Sequence, residues 1–155
     1  MMKKILLVCC CISLSGCAPK EPKCEFYEGF SFYMKEEHKV KITDESSKIY
    51  YLMPLAGCEP CVESNLEMLQ TIPKSDSLLI IFIGTADIEK YALEAAALKT
   101  KHHYLEDIDR NISSYETNFG KPLLIHIENE TCKAYNQITD LEVEEAKRYL
   151  EENIH

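Results

Sequence analysis

No apolar stretch in this 155-residue chain approaches the length of about 20 residues that a membrane-crossing helix needs, so no permanent transmembrane segment is expected. Positive charge is scarce: 17 Lys and Arg stand against 26 Asp and Glu, for a net charge of −9. An acidic surface repels phosphate, and nucleic acid is therefore not an expected partner. A second C-x-x-C is missing, as is any H-x-x-x-H, so the four ligands of a closed zinc site are not assembled and no cofactor is implied. Internal repeats and low-complexity segments are also lacking, which leaves one core of ordinary size.

What is present begins with a targeting pattern. Lys3 and Lys4 precede an apolar run from Ile5 to Ile12, followed by the small residues Ser13, Ser15 and Gly16 and then Cys17. Residues 1–16 read as a secretory signal, whose run is too short to span a bilayer. Leu14-Ser15-Gly16-Cys17 resembles the lipobox of bacterial lipoproteins. That resemblance implies cleavage before Cys17 and acylation of its sulfur and new N-terminus, palmitate being one such acyl group. More than one chain on one residue anchors stably, since each buried methylene contributes about 0.8 kcal/mol. Loss of the two signal lysines would take the net charge to −11. Residues 17–29, with Pro19 and Pro22, read as a spacer. Of eight cysteines, Cys9, Cys10 and Cys11 leave with the signal and Cys17 takes lipid. Cys24, Cys58, Cys61 and Cys132 remain for thiol chemistry, in an oxidising compartment.

Residues 30–155 carry the folded domain. Phe30 to Met34 and Lys39 to Ile42 are candidate strands of a first hairpin. Lys48 to Met53 reads as a buried strand stopped by Pro54, and Val62, Leu66 and Leu69 recur at helical spacing after the cysteine pair. Leu78 to Ile83 is continuously apolar, as in a strand covered on both faces. Asp87 to Lys99 reads as a helix with Ile88, Tyr91, Leu93 and Leu98 apolar, His103 to Leu105 as a strand, and Ile108 to Tyr115 as a short helix. Pro122 to Ile127 and Thr131 to Ile138 form a hairpin about Asn129-Glu130, and a last helix follows with Asp140 as N-cap and Val143, Ala146, Tyr149 and Leu150 as its stripe. The order implies an α/β fold: a mixed central sheet with helices on both faces.

Cys58-Glu59-Pro60-Cys61 falls between a strand and a helix, where C-x-x-C carries redox chemistry. Unpaired N–H groups at the helix start stabilise a thiolate, and Pro60 suits the first turn. Cys58 is the expected nucleophile and Cys61 the resolving thiol. Glu59 opposes thiolate formation, which favours a mildly reducing pair. A structural disulfide is the plain alternative, although so short a loop constrains the unfolded chain little.

The strand, Gly57-Cys58-Glu59-Pro60-Cys61, the helix and the later Tyr115 with Phe119-Gly120-Lys121-Pro122-Leu123-Leu124 resemble the thioredoxin superfamily over residues 30–155. C-E-P-C on an exported, lipid-tethered chain is similar to thiol-disulfide oxidoreductases of the TlpA and ResA kind. The resemblance implies a thioredoxin-like three-layer fold, with Pro122 as a cis-proline facing the cysteines and Lys121 offering its backbone to substrate and its charge to the Cys58 thiolate. The 64 residues from Cys58 to Pro122 leave room for the extra elements of TlpA-type domains. Three departures stand out: Gly57 replaces the usual tryptophan, Ser64 replaces the acid three places after the second cysteine with Glu63 one place early, and Ile49-Tyr50-Tyr51-Leu52 lacks the buried acid of ordinary thioredoxins.

Other residues invite roles. Cys24 and Cys132 could pair, but Cys132 reads better as a plain strand residue. His102, His103 and His126 could bind metal, and a copper-delivery protein of the Sco kind uses two cysteines and a distant histidine. The wider cysteine spacing of that family and the strand position of His126 favour an ordinary core or edge histidine. The expected activity is thiol-disulfide exchange on exported proteins, fed by an upstream electron donor, from a membrane outside the cytoplasm, with the outer membrane mildly preferred because Ala18 is not a retention signal. A non-catalytic binding or scaffold lipoprotein is the rival, and copper delivery the third reading.

Overall fold

The computed structural model describes residues 24–42 and 47–155. The expected signal and Cys17, the expected lipidation site, lie outside the described residues. Helix α1 (Tyr27–His38) is followed by strand β1 (Lys48–Pro54), helix α2 (Glu59–Thr71), strand β2 (Leu78–Ile83), helix α3 (Glu89–Lys101) and strand β3 (His103–Asp107). A 3₁₀ turn (Asn111–Ser114) then leads to the hairpin β4 (Leu123–Glu128) and β5 (Thr131–Gln137) and the closing helix α4 (Val143–Asn153). The sheet order is β3-β2-β1-β4-β5. β1 pairs in parallel with β2, and β2 with β3, whereas β4 runs antiparallel to both β1 and β5.

Period-two alternation sorts the strands between two cores. Ile49, Tyr51 and Met53 of β1, with Leu78, Ile80 and Phe82 of β2, face α2, α3 and α4, which contribute Val62, Leu66, Leu69, Tyr91, Leu98, Ala146 and Leu150. Tyr50 and Leu52, with Ile81, Ile125 and Ile127, face α1 and the 3₁₀ turn. β1 and β2 are therefore covered on both faces, as their continuous apolar runs require. The result is a mixed five-stranded sheet flanked by helices, the three-layer architecture of a thioredoxin-like fold.

Residues 30–34, expected as a strand, belong instead to α1. Phe30, Tyr33 and Met34 repeat at helical spacing and are all buried, so the apolar signal has a helical period that the weak alternation obscured. The second expected strand is replaced by the helix end, where Lys39 takes a left-handed conformation with φ 56°. α1 begins at Tyr27, within the stretch expected as spacer. Gly29 lets α1 approach closely: a Cβ there would sit 2.0 Å from the Glu116 carbonyl oxygen. α1 is also tied by the Tyr33 hydroxyl, which donates to buried Asp107 at 3.1 Å, while Asp107 accepts the N–H groups of Asn111 and Ile112 at 2.8 and 2.9 Å.

The β4–β5 turn is Asn129-Glu130, both at positive φ (49° and 58°), the two-residue geometry that matches strand twist. α4 begins later than expected, at Val143, and Asp140 makes no cap. Instead Glu142 stands at the N-cap without a side-chain cap bond, and its carboxylate closes the preceding turn by accepting the Thr139 N–H at 2.8 Å and its hydroxyl at 2.7 Å. Leu93, expected on the buried face of α3, is 66% exposed, because Tyr91, Ala95 and Leu98 already fill that face.

Candidate active site

β1 ends at Pro54, and residues 55–57 carry the chain to α2, with Gly57 at φ 113°. Cys58 is the N-cap residue, extended at φ −63° and ψ 96°, and its carbonyl accepts the first helical N–H from Val62 at 2.9 Å. Pro60 sits in the first turn, where a missing N–H costs nothing. The Cys58 and Cys61 sulfurs are joined in a disulfide across a Cα separation of 5.3 Å. Cys58 is exposed and Cys61 is buried at 2%. Of the two bonded residues, only Cys58 is open to solvent.

The surroundings of the pair are acidic on the outside and polar but uncharged within. Glu59 is exposed beside Cys58. On α3, Lys90 pairs with Glu63 and reaches Glu67 and Glu94 at 3.7 Å each, so three carboxylates share one ammonium. The Lys90 pKa rises through its bond to Glu63. The Tyr91 hydroxyl donates to the Glu59 carbonyl at 3.4 Å, fastening α3 to the cysteine turn. Burial, followed by Glu59 and Glu63, pushes the Tyr91 phenol up. Behind Cys61 lies a fully buried Asn65, whose amide donates to the Cys61 carbonyl at 2.7 Å and whose oxygen accepts from the buried Tyr51 hydroxyl. Burial drives the Tyr51 phenol far above its ordinary range. Ser64 donates to the Pro60 carbonyl at 2.7 Å.

Leu52 stands opposite Leu123, so the antiparallel register sets Pro122 beside Met53, at the end of β1 from which the cysteine turn departs. Pro122 is buried, Lys121 is exposed, and the Pro122 carbonyl accepts the Ile138 N–H at 2.7 Å. The expectation of a cis bond is corrected: among the described residues no peptide bond is cis, and Lys121–Pro122 adopts trans, the lower-energy isomer at X-Pro. Glu142 has a lowered pKa, first because its carboxylate accepts the Thr139 hydroxyl and N–H, with a smaller pull from Lys121. The Lys121 charge is thus felt at the start of α4.

Cys24 and Cys132 are paired in a second disulfide, with a Cα separation of 6.1 Å, which corrects the reading of Cys132 as an unpartnered strand residue. Cys132 opens β5 opposite Ile127, an α1-facing position, beside a register shift at His126/Ile127. His126 is a satisfied histidine: it is buried, with the Ser47 and Tyr149 hydroxyls on Nε2 and Nδ1 at 2.7 Å each. Its partner in the register is Ile49, five residues before Pro54 and so about 16 Å along the strand from the cysteine end. That separation removes it from any shared metal site with Cys58. Among the described residues no cluster of three or more His, Cys, Asp or Glu is placed to hold a metal. His102 is buried with neither ring nitrogen hydrogen-bonded, and exposed His103 contacts Asp76 at 2.9 Å.

Sequence reasoning missed Asn65, Tyr51 and Lys90. Asn65 could have been found as a polar residue within the buried stripe Val62, Leu66 and Leu69. Tyr51 read as an ordinary strand aromatic, and nothing local in the sequence tied Lys90 to the cysteine turn. Among the described residues no helix is long and apolar enough to cross a membrane.

No family model and no curated protein matches the chain. Among solved structures it is similar to a secreted Mycobacterium tuberculosis disulfide oxidoreductase described as homologous to E. coli DsbE. The identity is 12%, coverage is 69% of this chain and 81% of that one, and the TM-score is 0.44.

Proposed function

We propose that the protein is a thiol-disulfide oxidoreductase, of reductase-like character, held outside the cytoplasm by lipid on Cys17 and acting on disulfides of exported proteins. The observation that carries this reading is the unequal exposure of two bonded sulfurs at the start of α2, Cys58 in solvent and Cys61 beneath it. In the reduced state the helix start favours the Cys58 thiolate, which attacks a substrate disulfide and releases one substrate thiol. Cys61 then attacks Cys58, the intramolecular disulfide forms, and the second substrate thiol leaves. The substrate gains two electrons and two protons, and an upstream donor restores the pair. Glu59 and the carboxylates about Lys90 disfavour the thiolate, destabilise the reduced form and so make the pair a better electron donor. Lys121 and Pro122, at the same end of the sheet, are the proposed substrate contacts. Cys58→Ser should abolish reduction of insulin by the purified domain; retained turnover would refute the assignment.

A further inference from the structure

Directly behind the cysteine turn, two polar side chains are buried completely where the fold could have placed apolar ones. Asn65 follows Cys61 by one helical turn, at 0% exposure, as is Tyr51 on β1. The Asn65 amide spans from the Cys61 carbonyl to the Tyr51 hydroxyl, so a strand at the centre of the sheet is coupled to the backbone of the buried cysteine. Ser64 ties the neighbouring Pro60 carbonyl at 2.7 Å, and the first turn of α2 is thereby held at two successive residues. Buried polar groups persist when every partner is met, and such networks fix one geometry more firmly than apolar packing does.

We propose that Asn65, anchored by Tyr51, is the positioning residue for the resolving step, holding the Cys61 turn in place for attack on Cys58 without supplying a base. The inference rests on the exchange reaction proposed above. An amide has no titrating proton, and burial keeps the Tyr51 phenol protonated. The balance of the step follows: Cys61 gives its proton to solvent, its sulfur bonds to Cys58, the bond from Cys58 to the substrate sulfur breaks, and the leaving thiolate takes a proton from solvent.

The test uses the reduced domain with glutathione disulfide as the probe, acid quenching, and mass spectrometry of the Cys58–glutathione adduct across about pH 5 to 9. For the wild type, the decay rate of the adduct should rise with pH along a single ionisation. Asn65→Leu should slow that decay about tenfold, the equivalent of one hydrogen bond, while adduct formation stays within about twofold. Asn65→Asp should add a second ionisation at lower pH. Should Asn65→Leu not fold, Tyr51→Phe removes a single oxygen and should slow decay in the same selective way. Decay at the wild-type rate in the folded variant, or equal slowing of formation and decay, overturns the positioning role. A wild-type protein that forms no adduct overturns the exchange reaction as well, and the two failures are thereby told apart.

Discussion

Removing the Cys24–Cys132 disulfide should cost the domain a large part of its stability. The bond joins residues 108 apart in sequence, fixing the segment before α1 to the first residues of β5. In the chain-entropy account a closed loop of about 100 residues withdraws roughly 4.7 kcal/mol from the unfolded state. The native side loses less, because α1 keeps Phe30, Tyr33 and Met34 buried and its bond to Asp107 when the sulfurs are gone. Cys24→Ala with Cys132→Ala is the right perturbation, since a single change would leave a free thiol able to attack Cys58–Cys61. A loss of about 3 to 5 kcal/mol is expected, against a typical total of about 5 to 15. Urea unfolding followed by circular dichroism reads it as a lowered midpoint, and heating as a fall on the order of 10 °C. A loss under about 1 kcal/mol with unchanged cooperativity would refute the reasoning, showing that the bond adds nothing that α1 packing does not already supply.

Gly29→Ala sets helix propensity, a gain of up to about 1 kcal/mol, against a Cβ 2.0 Å from the Glu116 carbonyl oxygen. The clash wins, and a net loss of about 1 to 3 kcal/mol in urea unfolding is expected. Acid should weaken the fold through His102, whose pKa is lowered by burial first and by Lys101 next, the Leu69 carbonyl opposing without reaching hydrogen-bond geometry. The folded chain then resists a proton that the unfolded chain accepts, so stability is full above about pH 6.5 and declines as pH falls below it. His38 and His126, also lowered chiefly by burial, act in the same direction. His102→Leu leaves no polar atom unpaired and should raise stability by about 1 kcal/mol while flattening the slope between pH 7 and pH 5 in denaturant titrations.

The sheet was legible because its strands carry strong local signals. Leu78 to Ile83 could hardly be anything but a covered strand, and the cysteine pair announced the strand-to-helix junction it occupies. α1 was not legible as a helix, since Phe30 and Met34 sit in a run short enough to suit either period, and only packing against Tyr50 and Ile125 decides between them. The α4 start was misplaced because Asp140 is a common capping residue, whereas a turn closed by Thr139 and Glu142 delays the helix to Val143. The Cys24–Cys132 pairing depends on a register that no local pattern contains. The site divides along the same line: Cys58 and Cys61 follow from spacing, whereas the contacts among Asn65, Tyr51 and Cys61 arise from tertiary packing of α2 on β1.

The most direct test of the exchange reaction is the midpoint potential of the Cys58–Cys61 pair, read by equilibrating the Cys24→Ala/Cys132→Ala protein with glutathione or dithiothreitol buffers and counting free thiols. A working reductase-like pair should titrate between about −180 and −270 mV. A potential far below about −300 mV would mark a bridge that serves structure alone and would contradict the proposed function.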